Sequence, residues 1–387
     1  MKTKWIFFIG IIGILVFDAC KKAEVQNTVS CTAPAPSSHP KSVALQALMD
    51  EYVKKGLPGV SLLVGDSSGV WYGAAGKSDM ERNIDYTPCT VQKLGSITKM
   101  MMGVLTMKLV EEGVVNLNDP ISKWIDASVL KNIKNANKVS IRDCMQHTTG
   151  IYDLIRSSPF YLSVLNNPNK HWTPEELLKF VENQEPDFEA NQGVKYSNTN
   201  TILVAMCIEK ITGKGHDVLL REKVFAPLGM NDTYYHWHDA LPQTTAQGYF
   251  DLYNKHTLVN VSNIVPGSGN GYTGVHSNVF DLEKFVKGVF FNKTILKQAT
   301  LDTMMQWKFS EADSYFGLGL FRKYSGDLKK VRIGHTGGDL GYACEVYYYP
   351  YNNNYYITCI NYGTNGETFL TPIYAEYVEK LINIMAP

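Results

Sequence analysis

The chain carries no surplus of charge: 37 basic residues balance 37 acidic ones among 387, and charged residues make up only 19%. That balance removes the basic stripe on which nucleic-acid binding rests. With no long run of one sign, it also removes a charged, solvating tail. Cysteine is scarce. Seven are present and none is spaced Cys-x-x-Cys, so buried free thiols are the ordinary reading of Cys89, Cys144, Cys207, Cys344 and Cys359. A disulfide is open to an exported chain, but the sequence assigns no pairing. No apolar run reaches the roughly 18 residues of a membrane span. No self-similarity at periods of about 20–50 residues marks a solenoid or propeller. What is there is 44% hydrophobic residues over a length that allows one large domain or two.

The first residues read as an export signal. Lys2 and Lys4 precede the run WIFFIGIIGILVF, which Asp18-Ala19-Cys20 closes. A Cys directly after a small residue resembles a bacterial lipoprotein signal, in which residues 1–19 are removed and Cys20 is lipidated. Phe17 and Asp18 depart from the usual residues there, so simple secretion stays open. Residues 20–42, with TAPAPSSHP, hold too few apolar residues to fold and read as a tether. The expected location is the cell envelope, periplasm or outer membrane, with the lipid as the only membrane contact.

From residue 43 the pattern alternates between helix and strand. VALQALMDEYVKKGL has helical spacing and stops at Pro58-Gly59. VSLLVG and VWYGAAG, split by Asp66-Ser67-Ser68-Gly69, predict a β-hairpin. Residues 96–112 predict a long apolar helix. Residues from about 120 to 250 are mostly helical in pattern. After about 315, FGLGLFRKY, KKVRIGH, CEVYYYP and NYYITCINYG predict strands, and Pro372 to Met385 a closing helix. The implied fold is α+β: an antiparallel sheet built from both chain ends, flanked by helices, with a helical subdomain inserted in a domain spanning 43–387.

Ser-x-x-Lys occurs at Ser38/Lys41, Ser96/Lys99 and Ser128/Lys131. Ser38 lies in the tether and Ser128 in a polar stretch. Ser96 opens the apolar helix, where Ser and Lys three apart share one face. Burial and the positive helix N-terminus both lower an amine's pKa, so Lys99 could accept the Ser96 proton. The competing role for a serine there is an N-cap. Tyr-x-Asn occurs at Tyr196-Ser197-Asn198 and Tyr351-Asn352-Asn353. The second reads as a turn. The first precedes an apolar helix, where a phenol can relay a proton and an amide can hold a substrate carbonyl. His335-Thr336-Gly337-Gly338 follows a strand, where glycines permit close backbone approach to an edge strand and a free N–H can hold an oxyanion. Two signals are set aside. Gly65 to Gly69 fits G-x-S-x-G, but a strand rather than a helix follows. His236 and His238 lack a third metal ligand. His147 is taken as a fold residue.

The three motifs in this order, with LVEEGVVNLNDPISKWI, VSIRDCMQHTTGIYD, YSNTNTILVAMCIEKITGKG, VFAPLGMNDTYY and GHTGGDLGY, resemble the serine β-lactamase and penicillin-recognising family. The likeness is to its class C β-lactamase and D-alanyl-D-alanine carboxypeptidase branch, over about residues 43–385. It implies Ser96 as acylated nucleophile, Lys99 as its partner, and Tyr196 sharing acid and base work. It implies Asn198 on the substrate amide, and His335, Thr336 and Gly337 along the substrate. The Ser96 and Gly338 N–H groups would form the oxyanion hole. Neither cofactor nor metal is implied. Substrates would be a small peptide, a β-lactam or an ester. His335 stands where the β-lactamases of this branch usually carry Lys, and it is only partly protonated near neutral pH. That favours a D-alanyl-D-alanine carboxypeptidase-like peptidase, with an esterase or weak β-lactamase as the alternative. A non-catalytic cell-wall sensor is a third reading.

Overall fold

The computed structural model describes residues 30–35, 38–267, 269–310, 314–324, 326–363 and 366–386. The signal at 1–19, Cys20 and the first part of the tether lie outside the described residues. Among those described, no helix is long and apolar enough to cross a membrane.

Three early strands, β1 (Gly59–Asp66), β2 (Gly69–Asp79) and β3 (Ile84–Asp85), start one sheet. Short pairings follow: β4 (Gln92–Lys93), β5 (Tyr234–Tyr235), β6 (Tyr249–Phe250), β7 (Val259–Asn260) and β8 (Val275–Ser277). The late strands are β9 (Lys308–Phe309), β10 (Ser314–Phe316), β11 (Phe321–Lys323), β12 (Arg332–Asp339), β13 (Tyr342–Tyr349) and β14 (Asn354–Ile360). The main sheet runs β3-β2-β1-β14-β13-β12-β11-β10-β9. Its middle joins the two chain ends, with Val60 opposite Ile360 and Val64 opposite Tyr356, antiparallel. The expected α+β architecture is the observed one.

The alternation along these strands divides two cores. Val60, Leu62 and Val64 join Tyr347, Tyr349 and Tyr356 on one face, covered by the helices Ser42–Lys54 and Thr371–Met385. Leu63, Val346 and Ile357 face the other way, onto the helix Ile97–Glu111. That helix is buried on nearly every side, which is why its sequence is apolar all round rather than striped. The middle region shares this second core through residues such as Leu130, Phe160, Ile202 and Phe225. Its helices are short apart from Asn198–Thr212, and the pairings β4 to β7 are two residues each, too short to leave an alternating pattern.

The motifs set aside fall where they were read. Asp66 pairs with Gly69 across the Ser67-Ser68 turn, so G-x-S-x-G is a hairpin. Asn353, at φ 59°, turns β13 into β14. His236 stacks on His276, whereas His238 pairs with Asp217 at 3.0 Å.

The tether is shorter than its composition implied. Cys31 is bonded to Cys89, which is therefore not the free thiol expected. The Ser30 N–H and hydroxyl donate to Asp232 at 2.6 and 3.0 Å. Farther on, the buried His39 and the partly exposed Lys41 both meet Asp66, at 3.1 and 3.0 Å. A covalent link and ion pairs can fix a polar segment that buries little apolar surface, and counting apolar residues does not detect them. With the cysteines 58 positions apart, the chain-entropy account gives the bond about 4 kcal/mol. Cys144, Cys207, Cys344 and Cys359 are buried and free, as read. Alkylation of the denatured polypeptide starting after Cys20 should therefore modify four cysteines without reductant and six with it. Intact mass distinguishes these outcomes, and six without reductant would refute the bridge.

Candidate active site

Ser96 stands at the start of the Ile97–Glu111 helix with helical backbone angles, and its side chain makes no capping hydrogen bond. The N-cap alternative thereby fails. Its Oγ instead lies 2.9 Å from Lys99 Nζ and 2.8 Å from the Tyr196 hydroxyl. The other two Ser-x-x-Lys serines, Ser38 and Ser128, are exposed and remote from this arrangement.

Two glycines set the position of Ser96. Gly95 sits at φ +56°, and a Cβ there would meet the Gly338 carbonyl oxygen at 2.6 Å. A Cβ on Gly337 would meet the Leu94 carbonyl oxygen at 1.9 Å. The helix start and β12 thus approach more closely than any side chain permits. The sequence reading assigned the Gly337 space to substrate; the structure gives it to the 94–95 backbone. β11 pairs only with Arg332 to Gly334. Beyond that point Thr336, Gly337, Gly338 and Asp339 form one wall of a cleft of about 520 Å³, with Ser96, Tyr196 and Asn198 on its floor.

Lys99 is buried. Besides Ser96, its Nζ contacts Asn198 Oδ1 and the Tyr272 carbonyl, each at 2.7 Å. Burial is the main reason its pKa falls to about 7, against the opposing pull of Asp153 and Asp339. A neutral amine has two N–H groups and one lone pair. Asn198 and Tyr272 accept the two N–H groups, which leaves the lone pair toward the Ser96 hydroxyl. Tyr196 is raised above the ordinary tyrosine range, chiefly by burial, so its phenol keeps its proton.

Four residues outside the three motifs shape this site. Asp153, the last residue of VSIRDCMQHTTGIYD, accepts from Asn198 Nδ2 at 3.1 and 3.0 Å and from its backbone N–H at 3.0 Å. This fixes the amide with its oxygen toward Lys99. His147, at φ +58°, packs its ring against that of Tyr196, tilted by 38° with centroids 4.6 Å apart, and accepts from the Ser197 N–H at 3.3 Å. Burial first, then Lys99, lower its pKa to about 3, so it serves as a neutral support. Lys323 and Asp339 are the charged side chains among the described residues that line the cleft.

His335 requires correction. It is 1% exposed and does not line the cleft. Its ring stacks 3.9 Å from Phe321, and Nδ1 lies 2.6 Å from the Thr336 carbonyl. Burial, then the nearby Lys99, holds its pKa well below the usual histidine value. It is neutral rather than partly protonated. The cation of the cleft is Lys323, whose Nζ donates to Ser314 at 2.7 Å. Period-two patterning placed Lys323 on a strand but could not say that the strand borders the site. Thr336 lines the wall with its hydroxyl 2.9 Å from that of Tyr347.

A serine held between a buried amine and a phenol, at the edge of an antiparallel sheet, defines a serine hydrolase of the acyl-transfer type. The model of the Beta-lactamase family matches residues 45–373, and the chain belongs to that family. It is 24% identical over 310 residues to teichoic acid D-alanine hydrolase of Staphylococcus aureus, covering 79% of this chain and 70% of that one. It is similar in structure to D-amino acid amidase from Ochrobactrum anthropi SV3, at 25% identity and TM-score 0.78, covering 88% of this chain and 98% of that one. It is also similar to a D-stereospecific amidohydrolase from Streptomyces sp., at 24% identity and TM-score 0.77 with the same coverage. The last likeness, below 25% identity, speaks for the fold.

The Lys99 value sets the sign of a pH dependence. A Ser96 acylation that uses Lys99 as its base needs the neutral amine, so its rate should rise through about pH 7 and fall about tenfold per unit below it. His335 and His147 are already neutral there and add no limb. Stopped-flow acylation between pH 5 and 9 checks this; a flat profile contradicts it.

Proposed function

We propose that the chain hydrolyses the amide or ester bond of a D-aminoacyl group through an acyl-enzyme on Ser96. The observation that carries this is the pair of contacts on Ser96 Oγ, 2.9 Å to Lys99 and 2.8 Å to Tyr196, at the floor of an open cleft. Lys99 takes the Ser96 proton and the oxygen attacks the carbonyl carbon. The Ser96 and Gly338 N–H groups receive the developing oxyanion. The proton then passes by way of the Tyr196 hydroxyl to the leaving nitrogen or oxygen, and the bond to it breaks. Water, deprotonated by the same pair, attacks the resulting ester and frees Ser96 and the acid.

The D-aminoacyl part is supported by the likeness to a teichoic acid D-alanine hydrolase and a D-amino acid amidase. A D-alanyl-D-alanine carboxypeptidase is one form of this chemistry, and nothing in the comparisons singles it out. Neutral His335 leaves that position without the fixed cation that would hold a carboxylate beside the nucleophile. Efficient β-lactam hydrolysis is therefore not expected, whereas acylation of Ser96 by a β-lactam is. Export is part of the proposal, supported by the Cys31–Cys89 bond, which forms and persists in oxidising compartments.

Intact-mass spectrometry with D-amino acid esters and amides, a D-Ala-D-Ala peptide and a cephalosporin tests the reading. Ser96→Ala should abolish every adduct, and Tyr196→Phe should slow acylation by about 10²–10⁴-fold. Adducts that persist on Ser96→Ala would sink the assignment.

A further inference from the structure

We propose that Asp339 is the specificity residue that reads a free α-ammonium on the substrate's acyl group. This rests on the D-aminoacyl reading above and narrows it to substrates whose amine is not acylated. The cleft has two ends. Tyr196 serves the leaving group, and beyond it come Phe321, at 5.7 Å between ring centroids, and Lys323, 5.5 Å above the Phe321 ring. Tyr272 and Thr273 also line the cleft, and Tyr272 has no ring contact with the Tyr196, Phe316 and Phe321 cluster among the described residues; their end is the one assigned to the acyl group in this proposal.

Asp339 belongs to that end. It follows Gly338, which packs on Gly95 beside the nucleophile. It is the carboxylate among the described residues lining the cleft. Both its oxygens are held: Oδ2 accepts from the Thr273 hydroxyl at 2.9 Å, and Oδ1 accepts from the Leu340 N–H at 2.8 Å. Lys93, buried and outside the cleft lining, stands 3.9 Å from Oδ2 and has no hydrogen-bond partner among the described residues. An ionised carboxylate offers about four acceptor positions; Thr273 and Leu340 take two and the Lys93 ion pair faces Oδ2, so Asp339 keeps acceptor capacity for a donor in the cleft that it lines. Tyr161, Tyr272 and Leu340 line the same end and suit an apolar amino-acid side chain. An N-acylated amine has lost its charge, and its added carbonyl meets a carboxylate. Such a substrate brings no charged donor to the remaining acceptor capacity of Asp339 and sets a carbonyl oxygen against a carboxylate, which is a basis for discrimination.

The test compares D-phenylalanine p-nitroanilide with its N-acetyl derivative, whose leaving groups are identical. Wild-type kcat/KM should favour the free amine by at least about tenfold, carried mainly by KM. Asp339→Asn should reduce that ratio by about tenfold or more, and Asp339→Glu should restore part of it. A wild type that cleaves both equally, or prefers the acetylated compound, overturns the inference alone. An Asp339→Asn enzyme that loses both activities in equal measure gives Asp339 a structural role and also overturns it. If Asp339→Asn does not fold, the wild-type ratio decides. Turnover of neither compound by wild type overturns the D-aminoacyl reading and this inference with it.

Discussion

The site depends on two backbones meeting closer than side chains allow. Residues 94–95 press against Gly337 and Gly338, at separations where a methyl group on Gly337 would lie 1.9 Å from a carbonyl oxygen. The contact brings the first turn of a buried helix against the edge of β12. Helix N-terminal N–H groups and strand-edge N–H groups are both unsatisfied by their own elements, and the packing points one set at the other across the nucleophile. An oxyanion hole made from backbone needs this arrangement. The sheet order explains why the edge is open there, because β11 stops pairing at Gly334.

Burial does the second part of the chemistry. Lys99 lies in a helix with apolar residues on all sides, and desolvation lowers its affinity for a proton. The same desolvation raises Tyr196 and keeps His147 and His335 neutral. Among these groups it leaves Lys99 to titrate near neutrality. Asp153 prevents the amine from falling further and orients Asn198 at the same time. One buried carboxylate thereby sets both the charge and the geometry of the proton acceptor.

The architecture was legible because its main strands are long and its cores are divided by period-two alternation. Ser96, Lys99, Tyr196 and Asn198 were legible because a helix face and a helix start fix their relative positions. What the sequence hid follows from what patterns encode. Strands of two residues leave no period. Cys31–Cys89 joins segments 58 residues apart with no spacing rule. His335 sits inside its motif, but burial beneath Phe321 comes from a neighbouring strand. Lys323 and Asp339 become site residues only when the sheet is assembled.

If Asp339 binds the substrate ammonium as proposed, it links recognition to proton transfer. It is one of the two carboxylates that hold the Lys99 pKa up. A substrate ammonium seated on it adds a positive charge near the amine and offsets the carboxylate's field, and both effects favour loss of the Lys99 proton. The bound substrate would thus ready its own base. The kcat profile reports groups in the enzyme–substrate complex, whereas kcat/KM reports the free enzyme. With a free-amine substrate, the acidic limb of kcat should therefore lie below that of kcat/KM, and with the acetylated analogue the two should coincide. Limbs that coincide for both substrates would separate recognition at Asp339 from the chemistry at Ser96.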